Sequence, residues 1–165
     1  EGHGRQAGRN VYESVIKVPL VMLGPQLRGA ATRTKSGAET GSELNIVTSH
    51  VDIAPTLLSL IGLAPPFTMK GRDLTASSEA NVAFFGGRPP KEQFGLADGP
   101  WKYIIEDGVV ERLFDRLADP EEGHNLVSEQ PEIARAFKAR VEHWAAHSEA
   151  LIMDYAALKA ADRVK

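Results

Sequence analysis

Five histidines, His3, His50, His124, His143 and His147, are the side chains best suited to proton transfer or metal binding near neutral pH. His3 stands between glycines in Glu1-Gly2-His3-Gly4. A histidine with so little bulk around it can come close to a ligand. It can donate a hydrogen bond to an oxyanion or act as a general acid. A plain loop histidine is the simpler reading of composition alone. Arg5 and Arg9 follow, and each guanidinium offers the planar fork of donors that suits sulfate or phosphate. A solvated basic loop accounts for them equally well. His143 and His147, four apart, would share one helix face, but Trp-Ala-Ala lies between them and zinc needs further ligands. Two solvated helix residues is the better reading. Asp115, Asp119, Glu121 and Glu122 offer calcium-type oxygens, yet their spacing is not that of an EF-hand, and a turn with capping carboxylates fits them better. Lys102 falls inside an expected strand, where a lysine usually snorkels to water.

Other chemistries are excluded by what is missing from the sequence. There is no cysteine, so no disulfide, thiolate metal site or cysteine nucleophile lies within these residues. No Gly-x-Ser-x-Gly elbow, P-loop or Gly-x-Gly-x-x-Gly run is found. The charge balance of 19 Lys+Arg against 22 Asp+Glu, net -3, argues against a nucleic-acid binder. No run of apolar residues is long enough to span a bilayer. The 165 residues suit one ordinary globular domain. The chain begins at Glu1 with no start methionine and no signal peptide, so it reads as a piece of something longer.

The elements that must position these residues are legible in outline. Residues 1–10 read as a glycine-rich loop. Val18–Leu23 is apolar on both alternating faces, the pattern of a strand buried on both sides, and Gly24-Pro25 ends it. Residues 27–45 read as a surface loop and Ile46–Thr48 as a short strand. Asp52 as N-cap and Pro55 in the first turn open a helix that Gly62 stops. Asn81–Phe85 reads as a strand and residues 86–93 as a loop. Trp101–Glu106 and Val109–Phe114 flank Asp107-Gly108, a pair suited to the positive φ angles of a type I′ hairpin. A turn at Asp119-Pro120 precedes a long helix over residues 131–160. Its apolar stripe is Ile133, Phe137, Val141, Trp144, Leu151, Ile152 and Tyr155.

Four stretches, in order, give the sequence a family likeness. His3-Gly4 is followed nine residues after the histidine by Tyr12-Glu13, then Ile16-Lys17-Val18-Pro19-Leu20. Ser49-His50-Val51-Asp52-Ile53-Ala54-Pro55-Thr56-Leu57-Leu58 comes next, followed by Gly62 and Gly71-Arg72-Asp73-Leu74. Asp98-Gly99-Pro100-Trp101-Lys102-Tyr103 is the third. Leu113-Phe114-Asp115 with Asp119-Pro120-Glu121-Glu122 and Asn125-Leu126 is the fourth. Together they resemble the C-terminal part of the sulfatase family, within the alkaline phosphatase superfamily, over roughly residues 1–126.

The resemblance implies an α/β fold, α+β in its C-terminal part: the C-terminal portion of the alkaline-phosphatase-like fold. It implies two regions. Residues 1–80 would be the end of the catalytic domain, and residues 81–165 a subdomain with a small antiparallel sheet packed by a long C-terminal helix. Family enzymes hydrolyse sulfate esters with a formylglycine nucleophile beside calcium or another divalent cation. The motifs for both would lie upstream, so this polypeptide alone should be inactive and should hold no metal. His3 matches a histidine near the family's active centre, as a catalytic candidate. Gly8 stands where a sulfate-binding lysine is common, which leaves Arg9, and beside it Arg5, as substrate-binding candidates. Tyr12-Glu13 are expected to orient the loop.

The alternatives are a phosphoglycerol- or phosphoethanolamine-transferase-like relative acting on phosphate esters, or a non-catalytic structural or binding module. The expected partners are the missing N-terminal catalytic portion, a sulfate-ester or phosphate-ester substrate, and, for the isolated chain, further copies of itself through its open strand. No nucleic acid is expected. Relatives imply a periplasmic or membrane-anchored, extracytoplasmic setting, commonly bacterial.

Overall fold

A computed structural model describes residues 10–24, 32–33, 39–40, 46–76, 82–87 and 92–162. His3, Arg5 and Arg9 therefore lie outside the described residues, as do Gly8 and the stripe side chains Leu151, Ile152 and Tyr155. The elements in chain order are α1 (Glu13–Ile16), the two-residue strands β1 (Thr32–Arg33) and β2 (Glu39–Thr40), a 3-10 turn (His50–Asp52), α2 (Ile53–Leu60), β3 (Val82–Gly87), β4 (Gln93–Asp98), β5 (Trp101–Glu106), β6 (Val110–Asp115) and α3 (Pro131–Asp162). Contacts divide the chain into two compact units, residues 18–83 on one side and residues 1–17 with 84–165 on the other.

β3, β4, β5 and β6 form a four-stranded sheet in sequential order, which from Phe84 onward belongs to the larger unit. β4 and β5 pair antiparallel, as do β5 and β6. The Asp-Gly turn is as expected, with Asp107 at φ 49° and Gly108 at φ 69°. Glu106 pairs with Val110, however, so Val109 belongs to the turn and β6 starts one residue later than the sequence suggests. β4 is an addition to the expected elements. It joins β5 through Gly99 at φ 54° and Pro100, a two-residue turn between the paired Asp98 and Trp101.

Both faces of the sheet are covered. On one, α3 packs through buried Ala134, Phe137 and Val141 over Leu96, Tyr103 and Leu113. Trp144 stacks on Phe84 at 5.3 Å between ring centroids and meets Phe94 edge-on at 6.1 Å. Asp98 accepts a hydrogen bond from Arg140 at 2.8 Å, and Glu111 accepts from both Tyr103 (2.8 Å) and Lys138 (2.6 Å). On the other face, Val11 and Tyr12 join Ile104 and Phe114 in a small core, flanked by Ile16 and Phe85. Full burial of side chains such as Leu96, Ile104 and Leu113 contributes about 1.5–3 kcal/mol each before entropy is counted.

The outer edge of β6 is plugged by one side chain. Asn125 accepts the Leu113 N–H through Oδ1 (3.0 Å) and donates through Nδ2 to the Glu111 carbonyl (3.0 Å). The Leu126 N–H then reaches the Leu113 carbonyl at 2.8 Å. An amide side chain here does the work of a neighbouring strand, which blunts an otherwise adhesive edge.

In the smaller unit the helical run begins at Ser49, one turn before α2. Asp52 sits within it in αR conformation and reaches back to the Ser49 N–H (2.8 Å) rather than serving as the first cap. Its other oxygen accepts the Arg72 N–H at 2.9 Å. Thr56 Oγ1 accepts the Leu74 N–H (3.0 Å), so the Gly71–Leu74 segment is bonded to the helix start. Gly62, at φ 79°, ends the helix as expected. Val18–Leu23 is not a strand. It has no regular structure, and Val18, Leu20, Val21 and Leu23 are 47–93% exposed. A strand needs neighbours for its N–H and C=O groups, and no strand pairs with it among the described residues. Ile46–Thr48 is likewise irregular.

Candidate functional site

The described residue nearest in sequence to the candidate anion-binding side chains is Asn10, directly after Arg9. From there the main chain is gripped by directional bonds. The Val11 N–H donates to Gln93 Oε1 (3.2 Å), and Gln93 is held from behind through its Nε2 donating to Glu106 Oε2 (2.7 Å). The Tyr12 N–H donates to Asn10 Oδ1 (3.3 Å). The Glu13 N–H donates to Glu122 Oε2 (2.7 Å). Tyr12 also packs its ring 6.1 Å from that of Phe114.

Under this segment lies a charge cluster. Lys102, wholly buried, pairs with Glu122 Oε1 at 2.7 Å and Glu13 Oε1 at 3.3 Å. Its ammonium also sits 5.3 Å from the centre of the Phe85 ring. Arg116 donates to the same Glu13 oxygen at 3.3 Å and to the Gly99 carbonyl at 3.3 Å. Two carboxylates thus face two cations. The expectation that Lys102 snorkels is corrected. β5 is covered on both faces, and Lys102 points to the face closed by residues 11–16, a cover that comes from far away in sequence.

Burial dominates the Lys102 ammonium and holds it below its ordinary 10.5, against the pull of Glu122 and Glu13. For Glu13, burial pushes upward but Lys102 and Arg116 together leave the carboxyl below its ordinary 4.5. A groove of about 350 Å³ opens beside the cluster, lined by Tyr12, Glu13, Lys17, Pro120, Glu121 and Glu122 among others. The sequence showed none of this convergence. The one sequence signal that could have pointed to it is Lys102 standing two residues before Ile104, and so on the same strand face as an apolar core position.

The other sequence candidates fall out as follows. His143 and His147 do share a face, with ring centroids 5.4 Å apart, but both are exposed. Among the described residues no group of three His, Asp or Glu side chains is placed to hold a metal ion. The acidic residues after β6 serve the backbone. Asp115 accepts the N–H groups of Leu117 and Ala118, and Asp119 accepts that of His124 at 2.8 Å.

No family model matches the chain. Arylsulfatase K of Mus musculus is 35% identical over 143 residues, which cover 75% of this chain and 24% of that protein. Arylsulfatase K of Homo sapiens is 31% identical with the same share of this chain and 25% of its own. The uncharacterized sulfatase YidJ of Escherichia coli is 25% identical over 134 residues, 74% of this chain and 24% of that protein. The chain therefore spans about a quarter of the length of the curated relatives it matches. Among solved structures, a 2-O GAG sulfatase superposes with a TM-score of 0.50 and 22% identity, over 59% of this chain and 24% of that one. That likeness concerns the fold, an α/β arrangement with a four-stranded antiparallel sheet and packed helices.

Proposed function

Because this chain belongs to the sulfatase family, we propose that the protein carrying it hydrolyses sulfate esters, and that these residues form its C-terminal portion. The observation that carries the reading is the identity with arylsulfatase K over three quarters of the chain. In this reading His3 donates a hydrogen bond or a proton to the ester. Arg9 supplies the cation that the family usually takes from lysine, and Arg5 is a second one. The formylglycine nucleophile belongs to residues outside these 165, which include no cysteine and no Ser-x-Pro-x-Arg run. In the same reading the calcium or other divalent cation of the complete enzyme is held by residues outside these 165, and no step is derived through it.

The partner is the remainder of the same protein. The smaller unit exposes Val18, Leu20, Val21, Leu23, Val51, Leu57, Ile61, Leu63 and Phe67, between 47% and 97%. So many large apolar side chains left in water argue for a surface that is normally covered, and the relatives are about four times longer than the stretch matched here. An extracytoplasmic setting belongs to the same reading. No described helix is long and apolar enough to cross a membrane.

The test is to assay the full-length protein on 4-nitrophenyl sulfate and 4-nitrophenyl phosphate. Sulfate release supports the reading. Turnover of the phosphate alone would favour the phosphoryl-transferase alternative, and turnover of neither the non-catalytic module.

A further inference from the structure

We infer that Lys102 is a positioning residue: by drawing Glu13 and Glu122 onto one buried cation, it fixes the main chain at Tyr12–Glu13, a few residues in sequence from Arg9, Arg5 and His3. The inference rests on the sulfatase reading for what those three side chains do, and on the geometry of residues 10–16 and 93–122 for the rest.

Stability alone is a poor account of this cluster. A buried ion pair is often no more stabilising than an apolar group of the same size, because desolvation offsets the attraction. Lys102 has no exposed surface and sits beside Ile104, Phe114 and Phe85, where a methionine would fill the space. Glu122 also adopts a backbone conformation (φ 55°) that costs about 1–2 kcal/mol for a residue with a Cβ. That conformation puts its two oxygens to separate uses, Oε1 on Lys102 and Oε2 on the Glu13 N–H.

What the ionic arrangement adds is direction. Apolar packing of Val11 and Tyr12 would leave the segment free to slide, whereas hydrogen bonds at the Val11 and Glu13 N–H groups set its register. The first of these lies two residues from Arg9. Arg116 completes the device by tying the Glu13 carboxylate to the β4–β5 turn through the Gly99 carbonyl. Lys102 reaches the reaction only through this stem.

The experiment uses the full-length protein with 4-nitrophenyl sulfate. Lys102→Met leaves Glu122 and Glu13 without their shared cation, so its melting temperature should fall; assayed well below that temperature, the folded protein should lose about a hundredfold in kcat/KM, the scale of a misplaced binding group. In a His3→Ala/Arg9→Ala background the same change should cost about twofold or less, since a residue acting through those side chains has nothing left to position. An equal loss in both backgrounds, or full activity in folded Lys102→Met, would overturn the inference. Should Lys102→Met not fold, Glu122→Gln keeps an acceptor for the Glu13 N–H while removing the charge, and the same kinetic pattern is expected of it. Arg135→Ala, in an exposed pair with Glu132, serves as a control with unchanged rates. Amide hydrogen exchange at Val11 and Glu13 separates this inference from the sulfatase reading. The Glu13 amide, whose acceptor Glu122 is paired with Lys102, should exchange about tenfold or more faster in Lys102→Met whatever the enzyme's activity, with the Val11 amide, held by Gln93, as the internal reference. Unchanged exchange at Glu13 sinks the positioning role, whereas faster exchange in a protein that cleaves no sulfate ester sinks only the sulfatase reading.

Discussion

Glu13 is used twice, its N–H held by Glu122 and its carboxylate by Lys102 and Arg116, and this double use makes the fold acid-sensitive. Its carboxyl is depressed in the folded state. The stability it contributes is therefore present above its unfolded value, near 4.5, and is lost as pH falls through the lower folded value. Glu111, chiefly through Lys138, and Asp119, chiefly through the His124 N–H, are depressed as well and act in the same direction. The melting temperature should hold down to about pH 5 and drop below about pH 4.5. Glu13→Gln should flatten that acid limb, and a limb of unchanged steepness would remove Glu13 from the account. Asn125 is a second residue with a disproportionate share. Asn125→Ala leaves a strand N–H and C=O without their partners and should cost about 1–3 kcal/mol in chemical denaturation. The freed edge should also raise aggregation, while a neutral result would mean that water replaces the amide without loss.

At the scale of elements, local signals succeeded where local chemistry dictates the backbone. Asp107-Gly108 produced its turn, Gly62 its helix stop and Pro131 the start of α3, because each depends on a few neighbouring dihedrals. β4 escaped notice because Gln93-Phe94-Gly95-Leu96-Ala97-Asp98 has no β-branched residue and carries a glycine at its centre. That glycine is required by contacts from other strands. A Cβ at Gly95 would stand 2.3 Å from the Tyr103 carbonyl oxygen and 2.5 Å from the Phe85 ring. Gly95→Ala should therefore destabilise by about 1–3 kcal/mol through displaced backbone, measured by denaturant unfolding. An unchanged midpoint would show that the sheet yields there freely. Val18–Leu23 failed the other way. Its composition is that of an inner strand, but composition cannot supply the flanking strands, and among the described residues none is there. The charge cluster was illegible for a related reason. Gln93, Lys102 and Glu122 meet residues 11–13 only after the sheet has folded, across 82 to 109 positions of sequence for the hydrogen-bonded pairs.

For the whole molecule, the apolar residues left bare on the smaller unit set the behaviour of the chain in isolation. The 165-residue polypeptide should self-associate in sedimentation at micromolar concentrations and should bind a hydrophobic dye. A sharp monomer that binds no dye would contradict the view that this surface is normally covered. The family likeness was readable because four short motifs keep their order along the chain. His3, Arg5 and Arg9 were readable only as candidates, and they lie outside the described residues.

The central claim, that these residues complete an ester-cleaving enzyme whose nucleophile lies elsewhere, is tested most directly by assaying two polypeptides side by side on 4-nitrophenyl sulfate. The full-length protein should release sulfate and the 165-residue chain should stay at the buffer rate. Turnover by the short chain, or silence from a folded full-length protein on every sulfate ester offered, would contradict the account.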